Sequence, residues 1–377
     1  MRALDQTVTF GVVGGYGASG RVVVSELSKS SNGNLLIGGR DLAKGKALAA
    51  EFESRVSAAH LDVLDARSLD DFCSRCSIIV NCAGPVMLLE DRVAQASFRQ
   101  RRHYVDAAGM ALVRERLLPH DREIANLGLS FIVSAGWMPG ISEVLPVYAE
   151  ARARAKMDGI ESLTAYFGDS GEWSASALRD AAWYVRRSGL RSPDYFRYFR
   201  KGEWTRAKMS ARFRTVNLGS PIGRGRFCMF ATPELREVGQ RLSSCDFLPY
   251  TYLSGMRTII SATLMALFPL PDGLSVRMMR NIFRRNRLSV DGFVVVQVLG
   301  HSGGHRVGLS VQMVYRDRRD YWIHGLALAT VACMISEGKR VQSGVHFLAD
   351  AVDPLAFIAE LQKAGVEKTE TFEPHRS

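Results

Sequence analysis

Gly15, Gly17 and Gly20 stand at G-x-G-x-x-G spacing inside Thr9-Phe10-Gly11-Val12-Val13-Gly14-Gly15-Tyr16-Gly17-Ala18-Ser19-Gly20. An apolar strand there runs into a glycine turn and then into a helix that starts near Ala18. In that context the first glycine permits a tight turn, the second lets backbone approach a pyrophosphate, and the third lets helix pack closely on strand. Tyr16, Ala18 and Ser19 complete the expected phosphate site, because the helix amino terminus presents free N–H groups and a positive dipole end.

The second chemical signal lies at the end of the next strand, Leu35-Leu36-Ile37-Gly38-Gly39-Arg40. A dinucleotide carrying a free ribose 2′-hydroxyl is held there by Asp or Glu. Gly39-Arg40 stands in its place, so Arg40 favours a 2′-phosphate, with Lys44 one turn into the following helix as its helper and Asp41 as that helix's N-cap. The competing reading makes Arg40 a cap on the sheet edge. His60-Leu61-Asp62-Val63 reads as a third strand whose Asp62-Val63 end borders the adenine.

The elements that must position these residues alternate strand and helix, the pattern of a parallel sheet covered on both faces. Ser77 to Pro85, His103 to Gly109 and Leu129 to Gly136 are strands four to six, with a helix around Val113 to Leu127 between the last two. Ligands bind outside the carboxyl ends of such strands. The turns Ala83-Gly84-Pro85, Asp106-Ala107-Ala108-Gly109 and Gly136-Trp137-Met138-Pro139-Gly140 are therefore expected to share one crevice, with Asp106 accepting backbone hydrogen bonds at its strand end.

Together these motifs, over about residues 8 to 142, resemble the saccharopine dehydrogenase-like NADP-dependent reductases. The carriers are the Gly-Gly-Tyr-Gly-Ala-Ser-Gly turn, Gly-Gly-Arg after the second strand, Val80-Asn81-Cys82-Ala83-Gly84-Pro85, Tyr104-Val105-Asp106-Ala107-Ala108-Gly109, and the turn ending in Pro139-Gly140. The resemblance implies NADP(H) as cofactor and a sheet-containing domain inserted before the chain's last segment. Within the family the chain looks like a thiazolinyl imine reductase of the enantio-pyochelin siderophore type, acting on a carrier-bound thiazoline. A trans-acting enoyl reductase and a non-catalytic NADP-binding sensor or scaffold are the alternatives.

The expected fold class is α/β: a doubly wound Rossmann sheet over 1–142, an α+β domain with a mostly antiparallel sheet over 143–345, and a carboxyl-terminal segment, 346–377, packing back on both. Ile160 to Gly168 alternates as a strand, and 292–301 with 305–315 forms a hairpin around Ser302-Gly303-Gly304. The polar turn from Asp169 to Ser176 leads into a helix, Ala177 to Arg187, and is expected to approach the nicotinamide. Asp169 and Glu172 are therefore the leading proton-transfer candidates, with helix capping as their competing reading. His301 is an alternative acid or a solvated strand-end residue, and Tyr166 reads as core. Tyr321 to Ser336 and Pro354 to Ala364 are the last two helices.

The net charge of +11 is concentrated. Twelve Lys and Arg between Arg186 and Arg226 face only Asp194 and Glu203, and Arg277, Arg280, Arg284, Arg285 and Arg287 add a second cluster. Such a field suits an acidic partner, and a solvated basic face competes with that reading. No nucleic-acid reading motif accompanies it, so an acidic carrier domain is the expected partner. Ser192 to Gly225 reads as the most mobile stretch. Cys73 and Cys76 lack a second C-x-x-C, so the six cysteines are expected as free thiols and no metal is expected. The first residues lack a signal peptide's apolar run, and Ile259 to Pro271 is too short to span a bilayer. A cytoplasmic homodimer, not bound to a membrane, is the expectation.

Overall fold

The structure is a computed structural model that describes residues 7–52, 54–169, 173–188, 195–253, 255, 260–261, 264–265, 267–268, 270–283, 288–316 and 321–374. The chain divides into two compact units, residues 1–141 with 321–361 and residues 142–320 with 362–377.

Apolar runs buried on both faces build the inner strands of the first unit's sheet, as expected where helices cover both sides of a parallel sheet. Its strands are β1 (Thr9–Val13), β2 (Asn34–Gly39), β3 (Val56–His60), β4 (Ile78–Asn81), β5 (His103–Asp106), β6 (Ser130–Val133) and β15 (Gly344–Phe347). All pair in parallel, in the order β15-β6-β5-β4-β1-β2-β3. The strand order reverses between β1 and β4, which makes their carboxyl ends the switch point where such sheets bind ligands. Leu61, Phe72, Ile79, Tyr104 and Phe131 belong to the core of this unit.

Two expectations change here. The third strand is Val56–His60, not His60 to Val63. Asp62 stops it, because the Asp62 carboxylate accepts from Leu64 N at 3.0 Å while Ser68 Oγ accepts from Asp62 N at 3.1 Å, a local turn that competes with the ladder. The domain division also shifts. The second domain is indeed inserted, but the chain returns at residue 321 rather than after 345. The Trp322–Ser336 helix packs on the Ala18–Ser30 helix, where a Cβ on Gly325 would lie 2.4 Å from Val22 Cβ and 2.8 Å from the Ser19 carbonyl oxygen. The segment 346–377 is divided between the units.

The second unit is built on a mixed sheet of β7 (Gly159–Asp169), β8 (Arg197–Arg200), β9 (Glu203–Arg206), β10 (Phe213–Asn217), β11 (Arg224–Met229), β12 (Asp246–Tyr252), β13 (Gly292–Ser302), β14 (His305–Tyr315) and β16 (Glu367–Pro374). The main path runs β10-β11-β12-β7-β13-β14-β16, with β8 paired to β12 and β9 to β8, and only β12 and β7 are parallel. The described part of 192–225, read from sequence as mobile, contributes β8, β9, β10 and the Met209–Arg212 helix. The last strand, β16, is tied to the Ile141–Arg154 helix through Glu370, which accepts from Arg152 Nε and Nη2 at 3.1 Å and from Lys156 Nζ at 3.2 Å.

Candidate dinucleotide site

The turn after β1 assigns its glycines differently from the simplest reading of the triplet. Gly14, not Gly15, takes the left-handed conformation, φ 72°, and donates its N–H to the Gly38 carbonyl at 2.8 Å. Gly20 carries the close approach, since a Cβ there would sit 2.3 Å from the Gly14 carbonyl oxygen. Gly17 is exposed, and its Cβ position meets only that same carbonyl, at 3.1 Å. It is also the N-cap of the Ala18–Ser30 helix and provides no side-chain cap. An uncapped helix start beneath an open glycine surface fits a pyrophosphate.

At the end of β2 the Tyr16 ring covers Gly39, and the Tyr16 hydroxyl accepts from Asp41 N at 2.9 Å. Asp41 is the N-cap expected from sequence, accepting from Lys44 N at 3.1 Å. That hydrogen bond leads the causes that hold its carboxyl below the usual range. Lys44 Nζ lies 3.5 Å from the same carboxylate, so its charge already has a partner. Arg40 is exposed and has no ion-pair or hydrogen-bond partner among the described residues. Asp62 and Val63 lie in the turn after β3, half-buried.

On the other side of the switch point, Asn81 Oδ1 accepts from Ala83 N at 3.0 Å and shapes the Ala83-Gly84-Pro85 turn, which holds a cis Gly84–Pro85 bond and touches Gly14. Asp106 is buried and structural, as expected: its Oδ1 accepts from Gly109 N at 2.6 Å and Ser134 N at 3.0 Å. Gly136 abuts the Ala107 carbonyl, and Gly140 folds back on Gly136. The three turns are therefore neighbours around one sheet end.

Sequence reading missed His324. It sits in the first turn of the Trp322–Ser336 helix, and its Nδ1 accepts from Trp137 N at 3.3 Å. A lone histidine on an apolar helix carries no sequence signal; only the return of that helix to the first unit brings it here.

The proton-transfer candidates belong to the second unit. Asp169 ends β7, is buried, and accepts from the Tyr315 hydroxyl at 2.9 Å. His301 pairs with Gly159 at the opposite end of the same eleven-residue strand, about 33 Å away at roughly 3.3 Å per residue. It is half exposed, with Nε2 3.1 Å from Glu161, so Asp169 and His301 do not share a site. Tyr166 is buried and stacked on Tyr250, as expected of core. Glu172 lies outside the described residues. Among those described, no cluster of His, Cys, Asp or Glu could hold a metal, and no helix is long and apolar enough to cross a membrane. All six cysteines are free thiols.

Residues 10–132 match the model of the saccharopine dehydrogenase NADP binding domain. The whole chain shares its fold with the apo saccharopine dehydrogenase (L-Glu forming) of Saccharomyces cerevisiae, at TM-score 0.65 and 14% identity, covering 97% of this chain and 100% of that one. GenD2 from gentamicin A biosynthesis, in complex with NAD, covers 98% of this chain and 97% of its own at 14% identity and a TM-score of 0.43. A search of curated protein sequences returns no match. The amino-terminal unit therefore contains a domain of the saccharopine dehydrogenase NADP-binding type.

Proposed function

We propose that the protein is an NADPH-dependent reductase of a carbon–nitrogen double bond, a thiazoline on a carrier-bound siderophore intermediate reduced to thiazolidine. The observation that carries the NADPH half is Arg40, a cation without a partner among the described residues, at the strand end where a carboxylate would select the 2′-hydroxyl. Bound NADPH supplies a hydride. The glycine turn and the first turn of the Ala18–Ser30 helix hold its pyrophosphate, and Arg40 holds the 2′-phosphate.

The nitrogen that gains an electron pair when hydride reaches the carbon needs one proton. Asp169 is the first candidate to deliver it, and the Tyr315 hydroxyl donates to its carboxyl and holds it across the sheet. Glu172, three residues further along the sequence, is the second candidate.

The basic segments supply the docking surface for an acidic carrier, with a division of labour within them. Arg212 stacks on Phe196 and Arg214 on Tyr250, so these two are committed to packing. Arg200, Arg206, Arg224 and Arg226 are exposed, and they are the residues to reverse.

The test follows NADPH oxidation with a carrier-bound thiazoline, a carrier-bound enoyl chain and a free thiazoline. Turnover of the carrier-bound thiazoline, lost selectively on changing the four exposed arginines to Glu, supports the proposal. Turnover of the enoyl chain alone makes the protein an enoyl reductase. Nucleotide binding with no turnover makes it a sensor.

A further inference from the structure

We propose that His324 binds the cofactor, donating a hydrogen bond from Nε2–H to the nicotinamide half of the dinucleotide. The inference rests on the nicotinamide reading of the first unit and assigns a contact to a residue outside the glycine motif. The tautomer follows from Trp137. Its backbone N–H donates to His324 Nδ1 at 3.3 Å, so Nδ1 is the lone-pair nitrogen and the proton of a neutral ring resides on Nε2. Burial pushes the imidazole down to about 4, which keeps the ring neutral near pH 7.

The position follows from the two neighbours that hold the residue. Nδ1 stands 3.0 Å from the Cβ position of Gly136, a point that is also 2.8 Å from the Ala107 carbonyl oxygen, so one edge of the ring is fixed to the turns after β5 and β6. The next residue, Gly325, presses on Val22 and on the Ser19 carbonyl in the first turns of the Ala18–Ser30 helix. His324 thus lies between the helix start that receives the pyrophosphate and the turns after β5 and β6. These are on the β4 side of the switch point, opposite Arg40 and the 2′-phosphate. A dinucleotide laid across the switch point with its adenosine at β2 and β3 carries its nicotinamide to that side. The residue as a whole keeps some exposure, and Nε2 has no hydrogen-bond partner among the described residues.

The experiment titrates full-length protein with NADPH and with 2′,5′-ADP, which has the adenosine and 2′-phosphate but no nicotinamide. His324→Asn keeps an acceptor for the Trp137 N–H and removes the distal donor, whereas His324→Gln returns an amide donor near the Nε2 position. Expected is an NADPH affinity about tenfold weaker in H324N, recovered in part by H324Q, with 2′,5′-ADP affinity unchanged in both. Unchanged NADPH affinity in H324N overturns the proposal. Equal weakening of both nucleotides overturns it too, since that marks a purely structural histidine. Wild-type protein that binds 2′,5′-ADP but not NADPH removes the nicotinamide reading itself and this contact with it.

Discussion

The hydroxyl of Tyr315 donates to Asp169 Oδ2 at 2.9 Å from two strands away. Gly292 of β13 pairs with Asp169 of β7 on one side and with Tyr315 of β14 on the other, so the three residues form one row across the sheet. A Cβ on Gly292 would lie 2.3 Å from the Tyr315 ring, and its absence lets the phenol cross to the carboxylate. If Asp169 delivers the proton, Asp169→Asn lowers turnover by about 10² to 10⁴ while NADPH affinity holds. Tyr315→Phe lowers it by less, and Gly292→Val reproduces the Tyr315→Phe defect by displacing the ring. Wild-type turnover in Asp169→Asn would move the role to Glu172 or to water.

Arg40→Ala weakens NADPH binding by about tenfold or more and leaves NADH binding nearly unchanged, the loss expected for a hydrogen bond to a charged group. Lys44→Ala has a smaller effect, because the Lys44 ammonium already faces Asp41. Titration of the two nucleotides against each variant decides it, and equal losses for NADPH and NADH in Arg40→Ala would remove the 2′-phosphate assignment.

Gly17→Val and Gly20→Val separate binding from folding. At Gly17 the added side chain projects over the helix start, so nucleotide binding is lost while circular dichroism and melting temperature stay near wild type. At Gly20 it meets backbone, so the first unit is itself destabilised. Retained NADPH binding in Gly17→Val would place the pyrophosphate elsewhere.

Glu370 gives the second unit an acid-sensitive tie. Burial raises its carboxyl, but hydrogen bonds from Arg152 and Lys156 and the charges of Arg152 and Lys368 outweigh burial and bring it down to about 2. A depressed carboxyl pKa stabilises the fold above the unfolded value, near 4.5, and that contribution disappears as pH falls from there towards 2. Glu370→Gln is therefore less stable than wild type at neutral pH, and the difference shrinks through that window in melts recorded against pH. A constant difference would contradict the assignment.

What could be read from the sequence followed short-range rules. The strand, glycine turn and helix of residues 9–30, the Asp41 cap and the 292–315 hairpin each depend on residues a few positions apart. The hairpin even sets Gly292 opposite Tyr315, because pairing outward from Ser302 and His305 fixes the register. Its alignment with Asp169 is set by a contact more than a hundred residues distant, and no periodicity reports that. Leu61 looked like strand because it is apolar, yet Asp62 had a local hydrogen bond to offer instead. The Trp322–Ser336 helix was legible as a helix, but apolar on all sides it announced no partner, and so His324 stayed hidden.

The path of the chain between the units bears on synthesis. When residue 141 has left the ribosome, six of the seven strands of the first sheet exist, but β15, which borders β6, and the helix that covers Val22 are encoded some two hundred residues later. The nascent first unit must wait, with β6 as an unpaired edge and part of its core bare to water, while the whole of the second sheet's insertion is translated. A chain released after residue 320 has made every glycine of the nucleotide turn and still lacks the wall that His324 and Gly325 provide. Early termination therefore leaves a fragment suited to chaperone capture rather than a smaller dinucleotide-binding protein.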